Sequence, residues 1–157
     1  MGEHHPAMSP AEAQAQAERV ADAMFERDTA SHTLGLRIVG VAPGHAELAM
    51  TVRADMLNGH AICHGGFIFT LADSAFAYAC NSYNLNTVAS GCAIDFLAPA
   101  REGDVLTAFA QERSASGRTG VYDIEVRNER GDKIALFRGK SYRIKGHVIE
   151  APAGPVA

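Results

Sequence analysis

Residues 67–83, which read FIFTLADSAFAYACNSY, are apolar on nearly every side when they are placed on a helix. A helix of this length extends for roughly 25 Å, and its apolar surface has to be buried by the rest of the domain. The chain must therefore supply other elements that cover this helix on several sides, which restricts the folds available to it.

Six strand-like segments can provide that cover. LRIVGV and HAELAMTV flank Pro43-Gly44, a pair typical of turns, and predict a hairpin before the helix. Four further runs follow the helix: TVASGCAIDFL, DVLTAFAQER, GVYDIEVRNE and KIALFRGKSYRI. This order predicts an α+β domain in which an antiparallel sheet wraps around a central buried helix.

The two ends of the chain have a different character. Ser9-Pro10-Ala11-Glu12 has the spacing of a capping box with proline at the first helical position, and predicts an extra N-terminal helix that runs to Asp28. We divide the chain into an accessory helix and leader (1–28), a main domain (29–145) and a tail (146–157). The tail is rich in Gly, Pro and Ala and is expected to be flexible.

The composition argues against two classes of partner, nucleic acids and membranes. The 157 residues, 47% of them hydrophobic, suit a single domain, and the formal net charge of −4 argues against a nucleic-acid partner. No apolar run reaches the roughly 20 residues of a membrane span and no signal pattern opens the chain, so we expect a cytoplasmic protein without a membrane partner. The three cysteines are expected to be reduced, with Cys80 and Cys92 in the core.

Asp73 is the only ionisable carboxylate in the apolar helix. Because burial of an unpaired charge is costly, this side chain needs a compensating role or partner. It could be a structural carboxylate that reaches a polar group or solvent between two subunits. Alternatively, it could be a nucleophile or general base that faces a dry cleft, which is the interpretation we favour.

His64-Gly65-Gly66 precedes the same helix. Backbone N–H groups at a helix start lack intrahelical acceptors and lie at the positive end of the helix dipole, so they can stabilise an oxyanion. Glycine pairs are also common in plain turns. Gly65 and Asp73 are eight residues apart, or roughly 12 Å along a helix, and cannot both contact one carbonyl group within one chain. The sequence thus predicts an active site shared by two subunits.

Three other motifs allow different chemistry. His60, Cys63 and His64 could bind zinc with Asp55 or water as fourth ligand, but their spacing matches no standard zinc site. Cys63 could be a nucleophile with His64 as its base, although neighbours in sequence rarely direct their side chains at each other. The basic stretches 116–120 and 138–140 could hold phosphates or serve as turns and edges, and neither the P-loop nor the GxGxxG pattern occurs.

The segment LNGHAICHGGFIFTLADSAFAYACNSYN, residues 57–84, resembles the hotdog-fold acyl-CoA thioesterases, and closely the PaaI family of bacterial phenylacetate degradation. The similarity continues through AIDFLAPA, GRTGVYDIEV and IALFRGKSYRI and covers nearly everything between residues 29 and 144. The resemblance implies a hotdog fold, homodimers with a continuous sheet and a further pairing into tetramers. It implies no metal and no cofactor, because coenzyme A is part of the substrate.

The resemblance also implies roles for particular residues. The amide of Gly65 would polarise the thioester carbonyl, and Asp73 would act from the other subunit. Asn58 and His64 would shape the site, and a side chain that orients water falls near Ser90. The remaining substrate-binding and CoA-binding positions are Gly66, Arg118, Thr119, Arg138 and Lys140.

The expected activity is hydrolysis of an aryl-CoA thioester, of the phenylacetyl-CoA or hydroxyphenylacetyl-CoA type, to free acid and coenzyme A. Two rivals remain: a hotdog enoyl-CoA hydratase or dehydratase, which would use His64 together with an acid, and a non-catalytic acyl-CoA-binding sensor. The acyl group is left open by the sequence because four aromatic residues could either line an aryl pocket or fill the core: Phe67, Phe76, Tyr78 and Tyr83.

Overall fold

The computed structural model describes residues 7–150 of the chain. Its helices are α1 (Pro10–Arg27), α2 (Thr29–Leu34) and α3 (Gly65–Cys80), with a short 3₁₀ helix at Ala54–Met56. Its strands are β1 (Arg37–Ala42), β2 (His45–Thr51), β3 (Thr87–Phe96), β4 (Val105–Ser116), β5 (Thr119–Arg127) and β6 (Lys133–Arg143). Among the helices of this described part, none has the length and hydropathy to cross a membrane.

The six strands form one antiparallel sheet in the order β1-β2-β4-β5-β6-β3. Helix α3 lies against its inner face and packs chiefly on β2, β4 and β5. Leu71 and Ala75 of α3 are fully buried in one core with Leu48 and Ile124 of the sheet. The predicted α+β domain, with an antiparallel sheet around a buried central helix, is confirmed.

The apolar pattern indicates a helix over residues 67–83. Helix α3 begins two residues earlier than this segment, at Gly65, and its last residue, Cys80, lies three residues before the end of the segment. It begins early because the His64 ring accepts a hydrogen bond from the N–H of Gly66 at 2.9 Å and caps the helix. It ends early because the carboxamide of Asn81 binds the carbonyl of Ala77 and both backbone polar groups of Thr87, each at 2.9 Å. These bonds turn the chain out of the helix and towards β3.

Helix α1 has the predicted capping box, in which Ser9 and Glu12 bind each other's backbone N–H groups. Its apolar side includes the fully buried Val20, and the helix packs on β1. The Gln14 side chain donates a hydrogen bond to the carbonyl of Val41 in β1 at 2.8 Å. The accessory helix therefore covers the edge of the sheet that β1 forms.

Helix α2 is an additional element that the sequence pattern does not indicate. It begins after Asp28, whose carboxylate caps it by accepting from the N–H of Ser31 at 3.0 Å. The same carboxylate accepts from the hydroxyl of Tyr78 at 3.1 Å. Tyr78, a core residue of α3, thus binds the junction between α1 and α2 through this hydrogen bond.

The start of the predicted tail is attached to the domain rather than loose. Asn84, in the left-handed region with φ of 62°, exchanges two hydrogen bonds with the backbone of Ile149, at 3.0 and 2.9 Å. The carbonyl of Asn84 also binds the ring of His147 at 2.8 Å. Within residues 146–150, Ile149 and His147 are thus hydrogen-bonded to Asn84, while the flexibility of the tail stays a prediction. Residues 1–6 of the predicted leader and residues 151–157 of the tail lie outside the described residues.

The second edge of the sheet, formed by β3, contrasts with the first. Residues 88–93 and 95–97 are all exposed, and they include the apolar side chains of Val88, Phe96 and Leu97. A long edge strand presents a row of backbone N–H and C=O groups and pairs readily with another chain. The β3 edge is therefore open to pairing with a further strand.

Candidate active site

Asp73 lies half-buried on α3, on the side that faces β3. The thiol of Cys92 in β3 donates a hydrogen bond to Asp73 Oδ1 at 3.9 Å. Burial raises the pKa of Asp73 above its ordinary value, and the Cys92 hydrogen bond opposes that rise. Asp73 is thus a partly desolvated carboxyl group next to an exposed strand edge, a setting suited to a nucleophile or a general base.

The start of α3 presents one unused N–H group. The N–H of Gly66 is bound to the His64 ring, and that of Phe67 is bound to the carbonyl of His64 at 3.0 Å. Within residues 7–150, the N–H of Gly65 has no hydrogen-bond acceptor. Gly65 is therefore the free donor at the positive end of the helix dipole, while His64 acts as the cap and Gly66 is already engaged.

Asn58 organises the loop before α3. Its side-chain oxygen accepts from the N–H groups of His60 and Ile62, at 2.9 and 3.4 Å. Asn58 and Gly65 line the same cavity of about 550 Å³, whose other walls include Phe96. A cavity of this size can hold a small organic ligand, and most of its lining is apolar.

Gly65 is packed tightly against Phe96. A methyl group added to Gly65 would lie 2.8 Å from Cζ of the Phe96 ring, so this position has room for glycine alone unless the ring moves. Phe96 itself is 53% exposed and lies at the end of β3. The free N–H group is therefore bordered by an aromatic side chain that a ligand in the cavity would contact.

Asp73 and Gly65 belong to opposite ends of the site within one chain. Eight residues of continuous helix separate them, which corresponds to about 12 Å. Asp73 lies near Cys92 in the middle of β3, whereas Gly65 lies near its end at Phe96. Both groups are next to the exposed β3 edge, and that a second subunit completes the site stays a prediction.

The predicted CoA-binding residues fall into two groups. Arg118 and Thr119 line a small cavity of about 80 Å³ at the β4–β5 turn, near Cys80 at the end of α3. Arg138 and Lys140 occupy exposed alternate positions of β6, on the outer face of the sheet. A groove of about 580 Å³ on that face is lined by Arg138 but lies on the side of the sheet opposite α3.

Arg138 is engaged within the chain. Its guanidinium binds the carboxylate of Asp123 through two hydrogen bonds of 2.7 and 2.9 Å, which holds the pKa of Asp123 below its usual range. Ser90, the predicted water-orienting residue, lies at a bulge in β3 and donates to the carbonyl of Lys140 at 3.2 Å. The structure therefore brings neither Arg138 nor Ser90 to Asp73.

Two residues at the site carry no recognisable sequence signal. Cys92 was expected in the core, but it is exposed on β3 and contacts Asp73, because β3 is an edge strand rather than a central one. Cys80 is buried as expected, with a pKa raised to about 12 by burial. Phe96 is the second site residue that carries no recognisable sequence signal. The alternation that places Cys92 and Phe96 on one face of a strand is the only pattern that could have pointed to them.

The alternative motifs receive no support from the geometry. Cys63 is buried, and burial raises its pKa to about 11, so its thiol stays protonated at neutral pH and is a poor nucleophile. Asp55 is paired with Arg53 at 2.9 Å. Residues 7–150 contain no group of three His, Cys, Asp or Glu side chains arranged to hold a metal ion.

Comparison with known proteins connects this site to a family. Residues 60–135 match the Thioesterase superfamily. The acyl-coenzyme A thioesterase PaaI of Escherichia coli (strain K12) is 56% identical over 128 residues, which cover 82% of this chain and 91% of that protein.

Solved structures agree with the sequence comparison. The E. coli PaaI protein from the phenylacetic acid degradation operon matches with a TM-score of 0.84 and 54% identity, over 85% of this chain and 97% of that one. A variant of the phenylacetic acid degradation protein PaaI from Thermus thermophilus matches with a TM-score of 0.72 and 43% identity, over 74% of this chain and 100% of that one. The chain therefore belongs to the hotdog-fold thioesterase superfamily and, within it, to the PaaI family.

Proposed function

We propose that this protein hydrolyses aryl-CoA thioesters, of the phenylacetyl-CoA or hydroxyphenylacetyl-CoA type, to the free acid and coenzyme A. The observation that carries the proposal is Asp73, a carboxyl group with a raised pKa on an otherwise apolar helix. It occurs in a chain that is 56% identical to an acyl-coenzyme A thioesterase. No metal and no separate cofactor take part in the proposed reaction.

The roles of the residues follow from their positions. The free N–H of Gly65 binds the thioester oxygen and stabilises the negative charge that develops there, with help from the helix dipole. Asp73 either attacks the carbonyl carbon and forms an anhydride that water then hydrolyses, or removes a proton from the attacking water. In both routes the C–S bond breaks and the thiolate of coenzyme A leaves and takes up a proton.

Asn58 and His64 contribute through the shape of the loop. Asn58 holds the loop by its side-chain oxygen, and among the described residues its amide nitrogen has no hydrogen-bond acceptor. That nitrogen can donate to a thioester or to water in the cavity. His64 caps α3 through Nδ1, so it orients the glycine loop.

The active protein is a homodimer with shared sites. A second copy that pairs with β3 continues the sheet and brings its own Gly65 loop towards Asp73. We extend this proposal to a dimer of dimers on the basis of the family resemblance. The cysteines among the described residues are free thiols, which is in keeping with a cytoplasmic location.

A panel of CoA esters tests the proposed activity. We expect phenylacetyl-CoA and its ring-hydroxylated relatives to release free thiol with a higher kcat/KM than aliphatic esters of similar size, because an aromatic acyl group can pack against Phe96 in the apolar cavity. Thiol release is measured with a chromogenic disulfide. Hydration of an enoyl-CoA without thiol release would instead identify a hydratase, and tight binding of CoA esters without turnover would identify a sensor.

Substitution of Arg118 tests the CoA end of the site. We expect Arg118→Ala to raise KM for CoA esters about fivefold, the effect of losing an exposed ionic contact worth about 1 kcal/mol, with kcat near that of the wild type. The rise should be smaller at high salt. Arg138→Ala is expected to change KM less, because Arg138 is bound to Asp123.

Arg113→Ala is the matched control, since Arg113 also binds Asp123 on the outer face, at 2.9 Å. It removes the same charge from that face without affecting the β4–β5 turn. If KM is unchanged in both the Arg118 and the Arg138 variant, at low and at high salt, neither residue belongs to the CoA site.

A further inference from the structure

The two carboxylate oxygens of Asp73 have different surroundings. Oδ1 accepts a hydrogen bond from the thiol of Cys92 at 3.9 Å, whereas Oδ2 has no hydrogen-bond partner within residues 7–150. The torsion that rotates an aspartate carboxyl group has broad minima, so a carboxyl group without a partner takes a wide range of orientations. A donor on one oxygen restricts this rotation and leaves the other oxygen in a defined direction. The contact with Cys92 therefore makes the two oxygens of Asp73 inequivalent.

A close contact between the sheet and α3 brings Cys92 within reach of Asp73. Cys92 is paired with Gly139 of β6. A methyl group added to Gly139 would lie 2.8 Å from three carbons of the Phe76 ring, so the bare backbone of β6 lies directly against this ring. Phe76 is buried and follows Asp73 by three residues, which makes the two side chains neighbours on the surface of α3. The glycine opposite Cys92 therefore sets how closely the strand pair approaches the helix at the level of Asp73.

A thiol suits a contact with a reactive carboxyl group. Within residues 7–150, no Lys, Arg or His side chain forms an ion pair with Asp73. The titratable groups of these residues that act on Asp73 are the thiols of Cys92 and Cys80. Burial, and then the negative charge of Asp73, raises the pKa of both thiols, so both stay protonated at neutral pH. A neutral thiol is a weak donor and can orient the carboxylate without lowering its basicity as a charged donor would.

We propose that Cys92 is a positioning residue of the hydrolysis: its thiol holds Oδ1 of Asp73, so that Oδ2 is the oxygen that reacts. This inference rests on the proposed function and adds a residue to it. In the anhydride route, Oδ2 bonds to the acyl carbon as the C–S bond breaks, and hydrolysis by water restores the carboxylate. In the general-base route, Oδ2 takes a proton from water and passes it to the leaving thiolate. Cys92 stays a protonated thiol in both routes.

Replacement of Cys92 by Ala tests the role on activity. We expect kcat for aryl-CoA esters to fall about fivefold, the effect of losing one hydrogen bond to a reacting group. KM should stay close to that of the wild type, because the contact acts on Asp73 and not on the substrate. A hydrogen bond to the ionised carboxylate lowers its pKa, so the acid limb of kcat/KM should lie at higher pH in the variant. A strand that is only loosened would raise KM without moving this limb.

Two further variants complete the comparison. Cys92→Ser keeps a donor at the same position, so kcat should recover and the acid limb should return to a lower pH than in Cys92→Ala. Ala93→Ser is the matched control, because the Ala93 side chain lies on the opposite face of β3, in the groove on the outer side of the sheet. Its acid limb should match that of the wild type. An acid limb at one pH in the wild type, Cys92→Ala and Cys92→Ser would overturn the proposal.

The S–H stretching band reads the contact without an enzymatic assay. This vibration absorbs in a region of the infrared spectrum that is free of other protein bands, and its frequency falls when the acceptor of the S–H group becomes charged. Cys63 and Cys80 donate to backbone carbonyls, at 3.7 and 3.5 Å, so only the Cys92 band should move as Asp73 ionises. The moving band should be absent from Cys92→Ala and should not respond to pH in Asp73→Asn.

The proposed role of Cys92 and the proposed function can fail separately. The infrared titration is measured without substrate, and thiol release from aryl-CoA esters is measured on the wild-type protein. An active wild-type enzyme whose Cys92 band does not respond to pH overturns the role of Cys92 and leaves the proposed function standing. A wild-type protein that releases no thiol contradicts the proposed function, whatever the behaviour of the band.

Discussion

Replacement of Asp73 by Asn is expected to lower the turnover of aryl-CoA esters by about 10²–10⁴-fold, the usual contribution of a positioned acid–base group. Asparagine has nearly the same shape as aspartate, but it can neither attack the thioester nor take up a proton. The contact with Cys92 shows that the side chain already has a defined position, so the variant should keep the geometry of the site. Thiol release under saturating substrate measures the loss.

The same variant has an expected signature in stability and pH dependence. Because burial raises the pKa of Asp73, the folded protein binds this proton more tightly than the unfolded chain does. The free energy of unfolding therefore falls as the pH rises from the ordinary pKa of an aspartate through the raised pKa. Asp73→Asn removes this penalty, so its free energy of unfolding at neutral pH should equal or exceed that of the wild type. Catalysis needs the ionised form, so wild-type kcat/KM should fall as the pH drops through the raised pKa.

Asp22→Asn on the exposed side of α1 is the matched control for the loss of one carboxylate. Both proteins are compared by urea unfolding and by thiol release across the pH range. Turnover of Asp73→Asn at the wild-type level would remove Asp73 from the reaction. An inactive variant that is also unfolded would be uninformative by itself, and Asp73→Ser, which also removes the carboxylate, then replaces it in the comparison.

Mixing two inactive variants is expected to restore about one quarter of wild-type activity. One parent carries Asp73→Asn, and the other carries Gly65→Pro, which deletes the proposed oxyanion N–H. Each parent should be nearly inactive, since loss of one oxyanion donor costs about 10²–10³-fold. In a mixed dimer, the intact aspartate of one chain meets the intact loop of the other and forms one working site.

The expected fraction follows from random pairing. Half of the dimers are mixed and each contains one intact site out of two, which gives about one quarter of all sites. Sites built within a single chain could not recover in this way. Co-refolded samples are assayed for thiol release after mass spectrometry has shown that mixed dimers are present. If such samples stay as inactive as their parents, the shared site is refuted.

Gly65→Ala separates the loss of the N–H from the added bulk. Both substitutions place a carbon 2.8 Å from the far end of the Phe96 ring, which is half-exposed and can turn away. Alanine keeps the N–H and proline does not. Proline suits the first position of a helix, and His64 before it has the extended conformation that a following proline requires, with φ of −61° and ψ of 133°. Activity in the alanine variant with none in the proline variant assigns the effect to the N–H.

The topology was predictable because the signal for each element is local. The apolar segment around Asp73, the Pro43-Gly44 turn and the four later runs each indicate one helix, turn or strand, and the structure confirms their order. The helix ends were less predictable, since they depend on side-chain hydrogen bonds from His64 and Asn81 that no periodicity reveals. The same reason explains why α2, which a single carboxylate caps, was absent from the prediction.

The candidate site residues could be predicted only where the residue type and its position in the sequence indicate the chemistry. Asp73 and Gly65 stand out as a lone carboxylate in an apolar helix and a glycine at its start. Cys92 and Phe96 do not, because strand composition cannot distinguish an edge from a central strand. Arg138 presents the opposite case. The charge of Arg138 suggested a phosphate ligand. The face of β6 that this residue occupies depends on the register of the whole sheet, and on that face its guanidinium binds the carboxylate of Asp123 in β5.

The unequal edges of the sheet limit how far strand pairing can proceed. A sheet with two open edges could add chains at both ends and grow into a filament, as happens in aggregation. Here the β1 edge is covered by α1, and Gln14 occupies one of its carbonyl groups. We therefore expect any strand pairing through β3 to stop after a single addition. Helix α1 lies at the opposite edge of the sheet from β3 and Asp73, yet by covering β1 it would allow the β3 edge to stay open without making the protein prone to polymerise.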